Sequence, residues 1–315
     1  MTNRMNDVRI VSLLPGATET VAALGLLDKL VGRSHECDMP PEIAALPVCT
    51  SERIDSSAPS AEIDRSVRET IANALSLFEV DRELLAELAP THVITQDQCD
   101  VCAVSLDEVR KALSELAGDE IDIISLQPAR LGDIWADIRR IGTTLGPQAA
   151  AEAEACTRAI TRRIAKIAMH SVALGHEADA PRVAMVEWLE PVMIAGNWVP
   201  EIVSIAGGES VLASLGAPSE TVTVDAIAEA DPDVVVFAPC GFALPRAAGE
   251  ARQLLETPDW QGLRAVRDGR CYAADGNAHF NRPGPRLVQS VEIMAEILQP
   301  GEFDFGHQGM AWRQL

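Results

Sequence analysis

Short apolar runs alternate with helically spaced ones along the whole chain. Arg9–Leu14 is an apolar run closed by Pro15-Gly16, and from Thr18 to Leu27 apolar residues return at helical spacing. Val31-Gly32-Arg33 predicts a second short strand, followed by the polar, Pro-bounded segment Ser34–Pro41. Val93–Thr95 and Ile121–Ser125 predict two more strands, with a helix over Leu106–Leu116 whose Ser105 and Glu108 have capping-box spacing. Ala61–Leu77 reads as an additional helix, a surface insertion. The pattern resumes in the second half, with strands at Val183–Val186, Val234–Ala238 and Cys271–Ala274 and helices at Pro200–Ile205, Asp225–Ala230 and Pro285–Leu298. Strands apolar on both faces, alternating with helices, predict an α/β fold of parallel-type sheets flanked by helices.

Between the halves, Gln148–Leu174 is Ala-rich, charged and free of Pro and Gly. It reads as one helix of roughly 40 Å at 1.5 Å per residue, long enough to join two lobes. The expected organisation is an N-terminal α/β lobe over 1–146, a connecting helix over 147–175 and a C-terminal α/β lobe over 176–315. A chain of 315 residues sits where one core stops growing, which agrees with two lobes. An internal echo points the same way. Leu84 to Ile94 runs helix, Pro90, strand, and Val224 to Val236 runs helix, Pro232, strand. Chance similarity between ordinary α/β units produces such echoes too.

Composition removes several classes of function. With 47 acidic and 26 basic side chains the net charge is -21, and no Lys/Arg cluster offers a nucleic-acid backbone a basic face. No stretch approaches the roughly 18 apolar residues of a spanning helix. Only a few residues precede the first strand, too few for a signal peptide, so the sequence as it stands predicts a cytoplasmic protein; a removed leader would make it periplasmic or extracellular. Seven cysteines in a chain of this size fit a reducing compartment better than a disulfide scaffold.

Nucleotide-binding glycine loops, the nucleophile elbow and the zinc-protease helix motif are all missing, and nothing nominates a nucleophile with its base. The distinctive residues follow predicted strands, where α/β sheets bind ligands. Ser34-His35-Glu36-Cys37-Asp38 follows the second strand, and Gln98-Cys99-Asp100-Val101-Cys102 closely follows the strand at Val93. Thr18, at the start of the first helix, joins them. In the second half Trp188, Trp198, His279 and Phe280 take comparable places. Cys99 and Cys102 have a spacing used by zinc, iron-sulfur and redox sites, and His35 and Cys37 complete a set of three thiolates and one imidazole. Buried structural cysteines are the plainer explanation of the same residues.

Ile10 to Glu19, Val31-Gly32-Arg33-Ser34 with Asp38-Met39-Pro40-Pro41, Glu87 to Ile94, Ala206-Gly207-Gly208-Glu209 and Arg282-Pro283-Gly284-Pro285-Arg286 together resemble the solute-binding proteins of the cobalamin and iron-siderophore type. The resemblance runs in order through nearly the whole chain. It implies two lobes on a rigid backbone helix, the class III periplasmic-binding-protein arrangement, and a bulky metal chelate bound between them without catalysis. It also implies delivery to an ABC permease docked through a surface Glu on each lobe. Asp81 or Glu83 matches the first such position, and the second aligns with Asn281, which is neutral.

The expected function is therefore binding of a small-molecule metal chelate, cobalamin or another corrinoid first, for uptake, storage or handover. Its expected contacts are Thr18, Glu36, Cys37, Gln98, Cys99, Trp188, Trp198, His279 and Phe280. A flat macrocycle would stack on the aromatics, with His279 reaching its metal or a polar edge. No resident cofactor is needed. The alternative is a metal or redox protein on the same scaffold, holding zinc or iron through His35, Cys37, Cys99 and Cys102. An enzyme on this fold is the third reading, for which no acid, base or nucleophile is identified.

Overall fold

The computed structural model describes residues 8–72, 77–96, 110, 121–174 and 180–315. The chain divides into two compact units, Met1–Pro128 with Gly132–Arg158 and Ala129–Leu131 with Ala159–Leu315.

The first half contains β1 (Ile10–Ser12), α1 (Pro15–Ala23), β2 (Leu30–Arg33), β3 (Thr50–Glu52), α2 (Ser60–Ala72), β4 (Phe78–Val80), α3 (Arg82–Leu88), β5 (His92–Gln96) and β6 (Asp122–Leu126). β2, β1, β5 and β6 form one sheet in that order, and every pairing is parallel. Ile10, Val11, Val93 and Ile94 are fully buried, which explains why these strands carry no polar face. β3 and β4 form a separate antiparallel pair. The predicted strands and α2 are present, with ends displaced by a few residues, and β4 begins where the predicted helix Ala61–Leu77 stops. The predicted helix at Leu106–Leu116 lies outside the described residues, apart from Arg110.

Then come α4 (Leu131–Leu145) and α5 (Pro147–Ala173). α4 is not among the predicted helices, although Leu131, Ile134, Trp135, Ile138, Ile141 and Leu145 return every three or four residues and all are buried. α5 buries a narrow stripe, Ala149, Ala153, Thr157, Ile160, Ile167 and Ser171, and exposes most of its other residues. Gly142 of α4 permits a close approach to α5, since a Cβ there would lie 2.6 Å from Ala153 Cβ and 2.7 Å from the Ala149 carbonyl.

The second half contains β7 (Arg182–Trp188), β8 (Met193–Ile194), α6 (Val199–Ile205), β9 (Glu209–Ser210), β10 (Glu220–Thr221), α7 (Val224–Ala230), β11 (Val234–Phe237), α8 (Leu244–Leu255), α9 (Pro258–Gln261), α10 (Arg264–Arg267), β12 (Cys271–Ala274), α11 (Leu287–Leu298) and β13 (Trp312–Gln314). Its sheet runs β10-β8-β7-β11-β12-β13, with β9 also on β7. The pairings of β7 with β9 and β11, and of β11 with β12, are parallel, as expected; β8, β10 and β13 extend this parallel centre with antiparallel pairings.

The sequence echo is a shared hydrogen-bond framework. The parallel order β2-β1-β5-β6 recurs as β9-β7-β11-β12. Arg9, just before β1, donates its guanidinium to Leu88 O at the end of α3 (2.8 and 2.6 Å), and its backbone N–H to Thr91 Oγ1. Arg182, opening β7, donates its guanidinium to Ala230 O at the end of α7 (3.1 and 2.9 Å), and its backbone N–H to Asp233 Oδ2. Each helix ends on a left-handed residue, Ala89 at φ 42° and Asp231 at φ 41°, directly before a proline. Each also begins with a side-chain cap, Asp81 accepting from Leu84 N and Thr223 from Ala226 N.

Candidate functional site

In the first unit the carboxyl end of β1 turns directly into α1, with Pro15 in the first helical turn where its missing N–H costs nothing. Thr18 is fully buried on that helix. Its hydroxyl lies 2.8 Å from Ser12 Oγ and 3.1 Å from Cys37 Sγ, and Cys37 Sγ lies 3.5 Å from Ser34 Oγ. Thr18 and Cys37 are thus brought together as a buried polar joint between the β1–α1 turn and the loop after β2. Burial pushes the Cys37 thiol up, against the hydrogen bonds from Thr18 and Ser34, so it is held as a thiol.

The same loop carries His35 and Glu36. The His35 Nδ1 lies 2.7 Å from Thr50 Oγ1 and its ring packs on Phe78 at 5.4 Å, while Nε2 is buried with no hydrogen-bond partner among the described residues. Burial holds its pKa below the usual value, so the ring is neutral at pH 7. Glu36 is half-buried, and its backbone N–H donates to Ser34 Oγ. Sequence reasoning missed the loop's organiser, Arg33, whose guanidinium donates to the carbonyls of Ile43, Ser34 and Cys37. An Arg closing a strand carries no signal for that role. Gln98, Cys99 and Cys102 lie outside the described residues, and among those described no group of three or more His, Cys, Asp or Glu side chains is arranged to hold a metal ion.

In the second unit the candidates lie at the end of β7, at the start of α6 and on the loop after β12. Trp188, the last residue of β7, is half-buried; its ring meets Phe242 edge-on at 5.3 Å, and Arg246 covers the Phe242 ring at 3.5 Å. Its indole N–H donates to Glu190 O. Trp198 and Phe280 are buried and tied to each other, the Trp198 indole N–H donating to Phe280 O at 2.6 Å. Phe280 sits at φ 64° and its N–H donates to Ser290 Oγ. Trp198 and Phe280 are thus more deeply buried than Trp188.

His279 is 8% exposed, and its Nδ1 has no hydrogen-bond partner among the described residues. Burial lowers its pKa to about 4, helped by Arg286, His307 and Arg282 and opposed by Asp275. The loop is built around Asp275, which accepts from Ala278 N and Leu244 N through its carboxylate and from His279 N through its carbonyl. Asp275-Gly276 is a turn signature that the sequence reading did not use. A Cβ at Gly276 would lie 2.0 Å from Pro239 O, so that position requires glycine.

The resemblance placed a docking residue at Asn281. Its side chain instead donates to Ala238 O and Gly276 O, an internal brace. Asp81 is the cap of α3. Exposed Glu83, two residues after that cap, has its counterpart in Asp225, exposed and two residues after the cap of α7.

One all-parallel sheet and one mixed sheet, each flanked by helices, carry polar and aromatic residues beyond their strand ends, where α/β folds bind ligands. The signature of the family described as "Periplasmic binding protein" matches residues 10–278, and the chain belongs to that family. It is similar to the uncharacterized ABC transporter substrate-binding lipoprotein YvrC of Bacillus subtilis, 21% identical over 96% of this chain and 83% of that one. It is also similar to the vitamin B12-binding protein of Vibrio cholerae, 23% identical over 92% and 89%. Among solved structures, a periplasmic heme binding protein from Pseudomonas aeruginosa shares the fold at TM-score 0.69, 21% identity and 93% of both chains. The vitamin B12 binding protein of Vibrio cholerae does so at 0.64, 21% identity, 92% of this chain and 96% of that one. Among the described residues no helix is long and apolar enough to cross a membrane.

Proposed function

We propose that this protein binds a metal-chelating macrocycle, a corrinoid in the first instance, without transforming it. The observation that carries the reading is near-full-length similarity to a vitamin B12-binding protein. Trp188 supports it as a partly exposed aromatic residue of the kind that stacks on a macrocycle, and His279 with an imidazole that is neutral at pH 7. The test titrates the purified chain with cyanocobalamin and, separately, with haemin. A spectral change retained through gel filtration with cyanocobalamin supports the corrinoid; one with haemin alone moves the ligand to haem; none with either refutes the reading.

The alternative, zinc or iron held by His35, Cys37, Cys99 and Cys102, draws support from the unpartnered His35 Nε2. The protonated, hydrogen-bonded Cys37 thiol counts against it. Stoichiometric metal lost on changing Cys99 and Cys102 to Ser would establish it.

Delivery to an ABC permease assigns the docking carboxylates to Glu83 and Asp225. Reversing both to Lys is expected to abolish uptake while leaving ligand affinity unchanged. Delivery also requires the chain outside the cytoplasm, whereas storage or handover is a cytoplasmic role. Fractionation of cells expressing the native gene separates the two.

A further inference from the structure

Behind the His279 loop lies a helix with two buried carboxylates. α11 is buried along nearly its whole length and carries Glu292 at 3% and Glu296 at 5% exposure, one turn apart. Buried carboxylates persist only where donors surround them, and here most donors come from the C-terminal segment. Glu296 accepts the backbone N–H groups of Phe305 and His307 through one oxygen and the Trp312 indole N–H through the other. Glu292 accepts from Arg163 of α5 at 2.6 and 3.1 Å, and its other oxygen lies 3.0 Å from His307 Nε2. His307 is therefore fixed at both its backbone and its ring.

From there the segment reaches the ligand loop. The His307 ring faces the His279 ring edge-on, with centroids 6.4 Å apart. Ala311 O accepts from Asp275 N at 2.8 Å, and Asp275 builds the turn that carries His279. β13 then pairs with β12, the strand that launches the loop, and Leu315 N–H donates to Cys271 O. The segment lies beyond the part of the chain matched by the family, residues 10–278.

We propose that the C-terminal segment Phe303–Leu315 is a positioning element for the ligand loop, in which His307, anchored by Glu292 and Glu296, sets the orientation of His279. The inference rests on the binding role of the preceding subsection only for its effect on affinity. The groups facing His279 are Asp275, Arg282 and Arg286 on its own loop and His307 from the C-terminal segment, with Glu292 of α11 and Arg163 of α5 behind His307.

The test uses the full-length chain with His307→Gln, which keeps a donor for Glu292 and removes the ring beside His279. A second variant, Trp312→Phe, removes the indole N–H from Glu296 and keeps the packing. Long-range 1H–15N spectra of the ligand-free protein follow the His279 ring nitrogens through a pH titration. The expected results are displaced His279 resonances in both variants and, in His307→Gln, a raised midpoint as the repulsion from His307 is lost. Affinity for whichever of cyanocobalamin or haemin binds the wild type is expected to fall about two- to thirty-fold. His279 resonances and a midpoint indistinguishable from wild type in both variants would overturn the proposal. If His307→Gln does not fold, displaced or unmoved resonances in Trp312→Phe decide it. If neither probe binds the wild type, the ligand reading fails while the His279 titration still decides the positioning role.

Discussion

Replacing His279 by Asn should remove one specific component of acid sensitivity. The folded protein protonates His279 only near pH 4, while the unfolded chain does so near the ordinary value of 6.5. Between those values the unfolded state holds more protons, so stability is fully present above pH 6.5 and falls as pH drops toward 4. At 1.36 kcal/mol per pKa unit the full effect is about 3 kcal/mol, of which about 2 kcal/mol is already lost at pH 5. No large solvent discount applies, because the side chain is 8% exposed. The assay is urea unfolding at pH 7.5 and pH 5, followed by tryptophan fluorescence, which reports mainly on the second unit because Trp188, Trp198, Trp260 and Trp312 lie there. His35 and His92 also have lowered pKa values, but they titrate alike in both proteins and cancel. The His279→Asn variant should lose about 2 kcal/mol less than wild type between the two pH values. An equal loss in the two proteins would show that His279 is not held neutral by its surroundings.

Gly276→Ala puts a Cβ 2.0 Å from Pro239 O, and because the obstacle is backbone the cost should exceed about 2 kcal/mol in chemical unfolding, with loss of soluble expression. Trp198→Phe removes the donor to the buried Phe280 carbonyl and should cost about 1–3 kcal/mol without altering the far-ultraviolet spectrum. Arg182→Met should destabilise by about 2 kcal/mol and Arg9→Met by less, since both lose two hydrogen bonds to a helix-end carbonyl but the bonds of Arg9 are solvent-exposed; equal melting shifts would contradict this. Thiol alkylation of the native protein at pH 8 should label Cys240, which is exposed, while sparing Cys37, Cys49 and Cys271, as peptide mass mapping can verify.

Period and polarity made most of the fold legible. Val234–Phe237 reads as a strand buried on both faces because all four residues are fully buried. α5 reads as a single helix because neither Pro nor Gly interrupts it. β13 could not be read, because Trp312-Arg313-Gln314 has no apolar run of its own and exists as a strand through pairing with β12. The candidate residues were less legible because sequence position does not reveal which face of a ring is covered. Trp188 and Trp198 look alike in the chain, yet Trp188 is half-buried and donates to the exposed Glu190, whereas Trp198 is buried and donates to the buried Phe280 carbonyl. Nothing in the sequence tells that Thr18, nineteen positions before Cys37, hydrogen-bonds to it.

The two halves of the chain use one framework to carry loops of different chemistry. An Arg opening a central strand, a helix ended by a left-handed residue and proline, and the parallel order around them recur with near-identical hydrogen bonds. The loops do not repeat. After β2 the chain is organised by Arg33 and the Thr18–Cys37 joint, and after β12 by Asp275, Asn281 and the C-terminal segment. A framework that recurs while its loops diverge assigns stability to the former and ligand choice to the latter. On the proposed binding role, ligand choice is therefore expected to lie with the loops that carry His279 and Trp188 and with the loop after β2.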